Sequence, residues 1–163
     1  DSLAEMTTEP RAGRGAIVLG VFCLLPLPLM AFLVVVGARS VIAFPSNPVN
    51  RGMTLFLVAV TAWLLATGVT LVRRRVTTAF TGSAAAALLA ALVGLGTFVP
   101  LLRAGAAIDR DLDLKAWIIW SVAMAVAGSG HVAQVRGRRG VAFHVGALIL
   151  IVLGVAYTAV RHA

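Results

Sequence analysis

Long apolar runs separated by short polar connections dominate this chain, and no other feature restricts its fold as strongly. Each run has about 20 residues, the length that an α-helix needs to cross about 30 Å of hydrocarbon. Because lipid offers the backbone no hydrogen-bond partners, such runs must fold as helices. The sequence therefore predicts an all-α polytopic membrane protein with about five transmembrane helices, joined by short connections.

The predicted spans form a single transmembrane helical bundle over residues 16–163, behind a flexible cytoplasmic tail at residues 1–15. The apolar part of the first span exceeds the roughly 7–15 residues of a secretory signal, which favours a retained helix. The predicted spans cover residues 16–37, 52–72, 78–102, 116–135 and 141–160.

Composition excludes several other classes. Apolar residues make up 60% of the chain and charged residues 12%, against about half and about a quarter in soluble domains. The net charge is +8, but the arginines lie between apolar runs, so we expect anionic lipid headgroups and no nucleic acid as partners. The single cysteine, Cys23, excludes a disulfide within the chain. Many Ala, Val, Gly and Arg residues with little Lys are typical of a bacterial protein.

Two arginine clusters in very short turns predict the orientation. Short cytoplasmic connections carry the excess of positive charge. We therefore expect a multi-pass protein of the plasma (bacterial inner) membrane, with a cytoplasmic N-terminus and an extracytoplasmic C-terminus. The clusters are predicted to contact lipid headgroups and consist of Arg73, Arg74, Arg75, Arg136, Arg138 and Arg139.

Pro26 and Pro28 lie in the middle of the first span and predict a kinked helix. Each proline removes an amide and frees a carbonyl one turn earlier, at Phe22 and Leu24. One interpretation is a kink that serves packing. The other is the gate of a small transporter or channel, but no second span has a matching mid-helix proline, and this favours the packing kink.

Small residues recur at four-residue spacing, which lets helix backbones approach closely. Such stripes serve packing within a chain or against another protein, and we expect internal packing to dominate. In the third span they are Ser83, Ala87 and Ala91, continued by Gly94 and Gly96; the other pairs are Ala62 and Ala66, Ala123 and Ala127, and Ala142 and Gly146.

The predicted spans carry no Asp, Glu, Lys or Arg away from their ends. Proton relays and ion pathways use such residues at membrane depth. The remaining hydroxyl groups are expected to bond their own backbone, and Trp117 and Trp120 are expected in an aromatic belt at the outer boundary. No nucleophile lies in a pattern with a base, so we predict no catalytic residue and disfavour an enzyme.

His131 and His144 flank the last short turn at nearly equal depth, about 6–8 Å inside the membrane. One interpretation places both at the interface, directed towards lipid headgroups. The other makes them ligands of haem b, contacts of a quinone, or metal ligands together with a third residue.

The acidic stretch from Asp109 to Asp113 offers oxygen ligands for a divalent cation. It lacks the glycine and the distant glutamate of a calcium loop. We therefore expect a hydrophilic loop on the extracytoplasmic side, whose last acid caps the following helix, and predict no metal site.

The leading functional hypothesis is an integral membrane accessory subunit that packs against other membrane protein subunits through small-residue helix faces. The first alternative is a membrane electron-transfer subunit that binds haem b or quinone at His131 and His144. The second alternative is a small transporter or channel that uses the break at Pro26 and Pro28.

Overall fold

The structure is a computed structural model, which describes residues 14–73, 78–104, 114–135 and 141–162. These residues are almost wholly helical and contain no strand, which confirms the all-α prediction. The helices are α1 (Arg14–Leu24), α2 (Leu27–Ala43), α3 (Pro48–Val72), α4 (Thr78–Arg103), α5 (Leu114–Val135) and α6 (Val141–His162).

Four helical segments of the described chain are long and apolar enough to cross a membrane. The remaining predicted span, 141–160, lies on α6, a helix of 22 residues whose side chains are described only in part. Its place in the membrane stays a prediction. The four segments are Ile17–Ala43, Pro48–Val72, Gly82–Arg103 and Leu114–Gln134.

The first span is divided into two helices at its prolines. The amide of Leu25 still donates to the carbonyl of Val21 at 3.0 Å, and that of Met30 donates to the carbonyl of Pro26 at 2.9 Å. Between these bonds, Pro26 has no amide to continue the helical pattern. The disturbance expected in the first span is therefore a short break between α1 and α2.

The first connection is shorter than the sequence predicted. The predicted spans end at residue 37 and resume at residue 52, but α2 continues to Ala43 and α3 begins at Pro48. The Asn47 side chain accepts a hydrogen bond from the amide of Val49 at 2.9 Å and caps α3. Proline is favoured at the first position of a helix, because an amide N–H at that position would have no partner within the helix. Residues interpreted as a loop thus start a helix.

The core lies where α3, α4 and α5 meet. α4 packs against both α3 and α5, α6 packs against α5, and α1 and α2 pack against α3. Small side chains on α4 let the larger side chains of α3 and α5 reach across it. The buried cluster consists of Phe56, Ala59, Ala90, Ala91 and Met124.

The predicted small-residue stripe of α4 faces this core. Ser83, Ala87 and Ala91 are buried, and a Cβ atom added to Gly94 would overlap the side chain of Ser121 on α5. Gly96 differs, since an added Cβ atom would meet nothing within 4 Å. Internal packing therefore uses the stripe as far as Gly94.

Candidate functional site

A hydrogen bond between two helices marks the most polar part of the buried interior. His131 of α5 is 2% exposed. Its Nε2 atom accepts a hydrogen bond from the indole Nε1–H of Trp63 on α3, at 3.0 Å. The two residues are 68 positions apart in the chain, so the bond ties α3 directly to α5.

The direction of this bond sets the charge of the histidine. An indole nitrogen only donates hydrogen bonds, and an imidazole nitrogen accepts one only when it carries no proton. The imidazole of His131 is therefore neutral while Trp63 donates to it. Its burial also differs from the interfacial position towards headgroups that the sequence allowed.

Thr67 of α3 lies at the level of Ser83 of α4. The two helices are antiparallel, and the Gly52 backbone of α3 packs against the Thr97 side chain of α4. Thr67 follows Gly52 by fifteen residues, and the rise per residue is the same in both helices. The facing position on α4 is therefore next to Ser83, whose side chain is fully buried.

His131 reaches the same level from α5. A Cβ atom added to Gly128 would lie 2.8 Å from the side chain of Leu88 on α4. Three residues further along α5, His131 lies opposite the turn of α4 that contains Ser83. The fold thus brings Trp63, Thr67, Ser83 and His131 to one end of the three-helix core; we call these four residues the polar cluster.

Thr67 differs from the other buried hydroxyl groups. It is 6% exposed, and its Oγ1 atom has no hydrogen-bond partner among the described residues. The prediction that hydroxyls bond the carbonyl one turn earlier is confirmed elsewhere, at Thr61, Thr70, Ser121 and Ser129. The Thr67 hydroxyl can thus still take a partner.

The two tryptophans expected in an aromatic belt pack against the buried cluster, and their place at a membrane boundary stays a prediction. The rings of Trp117 and Trp120 are 5.3 Å apart and nearly perpendicular. Trp117 also packs edge-on against Phe56 at 5.6 Å. Both tryptophans contact the buried cluster and are half-buried. They fill the space that the small residues of α4 leave between α3 and α5.

Most other predicted site residues lie outside what the structure describes. His144 is on α6, but its side chain is not among those described, so its pairing with His131 stays a prediction. Arg73 follows α3 and is exposed, as headgroup contact requires. Outside the described residues lie Arg74, Arg75, Arg136, Arg138, Arg139 and the acidic stretch from Asp109 to Asp113.

Comparison with known proteins adds no assignment. No protein-family model, curated protein or solved structure matches this chain. Among the described residues, no group of three or more His, Cys, Asp or Glu side chains is placed to hold a metal ion. The functional interpretation therefore rests on the geometry of the helices and of the polar cluster.

Haem b at His131 would compete with the hydrogen bond already present. Iron binds a lone pair of a ring nitrogen, and the Nε2 lone pair receives the indole N–H of Trp63. We expect the purified protein to show no Soret band in its visible spectrum, before or after dithionite. In Trp63→Phe the Nε2 atom of His131 no longer accepts a hydrogen bond from the indole. This variant is therefore the matched comparison in a titration with hemin. A Soret band in the unmodified protein that His131→Gln abolishes would contradict this expectation.

Proposed function

We propose that the chain is an integral membrane accessory subunit, which packs against helices of other membrane proteins in a larger complex. This proposal is based on the exposure of the first span, because the rest of the chain buries very little of it. Of the most apolar window in Ile17–Ala43, 6% is buried, compared with 44% for Leu114–Gln134. No residue of α2 is buried.

The break at Pro26 supports the same proposal. Proline leaves the carbonyl one turn earlier, that of Phe22, without its helical donor. In hydrocarbon such a group needs a partner from another helix, from water or from local unwinding. Phe22 and Leu25 are both largely exposed at this point. A helix of a neighbouring subunit would cover this surface and offer a donor.

A transport gate at the break receives less support. α1 packs closely on α3 beside the break, where a Cβ atom on Gly68 would lie 2.5 Å from the Leu24 side chain. Leu25, Pro28 and Leu29 are exposed on the outside of the chain. The break therefore faces the surroundings of the protein more than a path between its own helices.

Photocrosslinking in native membranes tests the proposal. We place a crosslinking amino acid at Phe32 of α2, which is 62% exposed, and at Leu92 of α4, which is 71% exposed, as the matched control. The first should give one discrete product heavier than the 16.9 kDa chain, and the second should give none. Native mass measurement after gentle extraction should show a fixed stoichiometry. A lone monomer without a crosslinked product would contradict the proposal.

We propose a plasma-membrane location with the N-terminus in the cytoplasm. The sequence supports this orientation, since the two arginine clusters lie in very short connections and short cytoplasmic connections carry the excess of positive charge. Single cysteines at Ser46, Asp111 and Arg138, in a Cys23→Ala background, are labelled from outside intact cells. We expect labelling at positions 46 and 111 and protection at 138. The reverse pattern would invert the orientation.

A further inference from the structure

His131 is the one ionisable residue among the buried side chains that the structure describes. The cations whose side chains are described are all exposed: Arg39, Arg51, Arg73, Arg103 and Lys115. An ionisable side chain inside a membrane helix is costly and commonly serves a function. An accessory role based on packing does not require one at this position.

The immediate surroundings of His131 can hold it in two protonation states. In the neutral state, Nε2 accepts from Trp63. In the protonated state both ring nitrogens donate, so Trp63 can no longer donate to Nε2. Thr67 and Ser83 carry hydroxyl oxygens at the same level of the core, and a hydroxyl oxygen can accept a hydrogen bond from an imidazolium. The Thr67 hydroxyl has no competing partner among the described residues.

The described charged groups on the packed helices lie away from this level. On α3 the nearest described cation is Arg73, which is exposed beyond the helix end. Arg103 of α4 and Lys115 of α5 are at the opposite ends of their helices. The side chain of His144 on α6 and the arginines at 136–139 lie outside the described side chains. Among the described residues, hydroxyl groups and not a carboxylate would therefore stabilise the charge of the protonated imidazole.

We propose that His131 is a proton-binding site inside the membrane, and that proton uptake releases the hydrogen bond that joins α3 to α5. A hydronium ion transfers a proton to the Nε2 lone pair: one O–H bond of the hydronium breaks, an N–H bond forms, and the imidazole becomes a cation. The indole of Trp63 loses its acceptor. His131 is four residues from the end of α5, so water has a short distance to cover at this end. Acid thus loosens the contact between α3 and α5.

The indole N–H signals of the three tryptophans in ¹⁵N-labelled protein test this proposal. Between about pH 8 and the lowest pH at which the Trp117 and Trp120 signals stay in place, the Trp63 signal should move through a single-proton transition. Trp63→Phe assigns the signal. His131→Gln keeps an acceptor for Trp63 but cannot titrate, so it should abolish the transition. The signals of Trp117 and Trp120 report whether each variant keeps its fold.

Two results of this titration would contradict proton uptake at His131. A Trp63 signal that does not move in the unmodified protein, or one that still moves in His131→Gln, would overturn the proposal. Thr67→Val removes a hydroxyl acceptor with little change of shape. We expect proton uptake to need more acid in this variant, because the charged imidazole loses a hydrogen-bond acceptor. An unchanged transition in Thr67→Val would show that the Thr67 hydroxyl is not an acceptor for the protonated imidazole.

Discussion

Gly94→Ala is expected to lower the free energy of unfolding by about 1–3 kcal/mol, the usual cost of an added group in a packed interior. The new Cβ atom would overlap the hydroxyl of Ser121 and lie 2.8 Å from its Cβ atom and 3.0 Å from the ring of Phe56. Ser121 cannot simply turn away, because its hydroxyl bonds the carbonyl of Trp117 at 2.7 Å. The helices α4 and α5 must therefore move apart. SDS-induced unfolding in mixed micelles measures the loss.

Gly96→Ala is the matched control on the same helix. An added Cβ atom at Gly96 meets nothing within 4 Å. The substitution should leave stability unchanged or raise it by up to about 1 kcal/mol, because alanine favours a helix more than glycine does. Equal losses for Gly94→Ala and Gly96→Ala would mean that close approach of α4 to α5 does not stabilise the protein.

The helices were predictable because lipid leaves the backbone few choices. Apolar runs of membrane length predicted the helical class, and Pro26 predicted a disturbance in the first span. The residues around Asn47 and Pro48 were harder, because the same types that form turns also begin helices. Local sequence alone did not separate a loop at residues 39–51 from a four-residue connection between two helices.

The polar cluster was only partly predictable. The small residues of α4 indicated a packing face, and the structure uses it. Helices that are apolar on all sides give no sign of which face meets which neighbour, so the contact of Trp63 with His131 could not be derived. One signal was present: Trp63 and Thr67 are four residues apart and share a face of α3. Polar atoms on one face of a membrane helix indicate that this face is directed into the protein.

The bond between Trp63 and His131 is expected to stabilise the contact between α3 and α5, and a double-mutant cycle measures it. His131→Leu leaves a buried indole N–H without its acceptor, at a cost of about 1–3 kcal/mol. Trp63→Phe removes the donor and part of the ring packing at a half-buried position. The double variant should lose less than the sum of both, because neither unpaired group remains.

The expected coupling is about 0.6 kcal/mol, the average for hydrogen bonds between membrane helices, and at most about 1.7 kcal/mol. His131→Gln provides the control, since its amide oxygen can still accept from Trp63, and it should lose less stability than His131→Leu. SDS-induced unfolding at neutral pH measures all four variants under conditions where the imidazole accepts the bond. Strict additivity of Trp63→Phe and His131→Leu would show that this bond does not hold α3 and α5 together, and proton uptake at His131 would then have no contact to release.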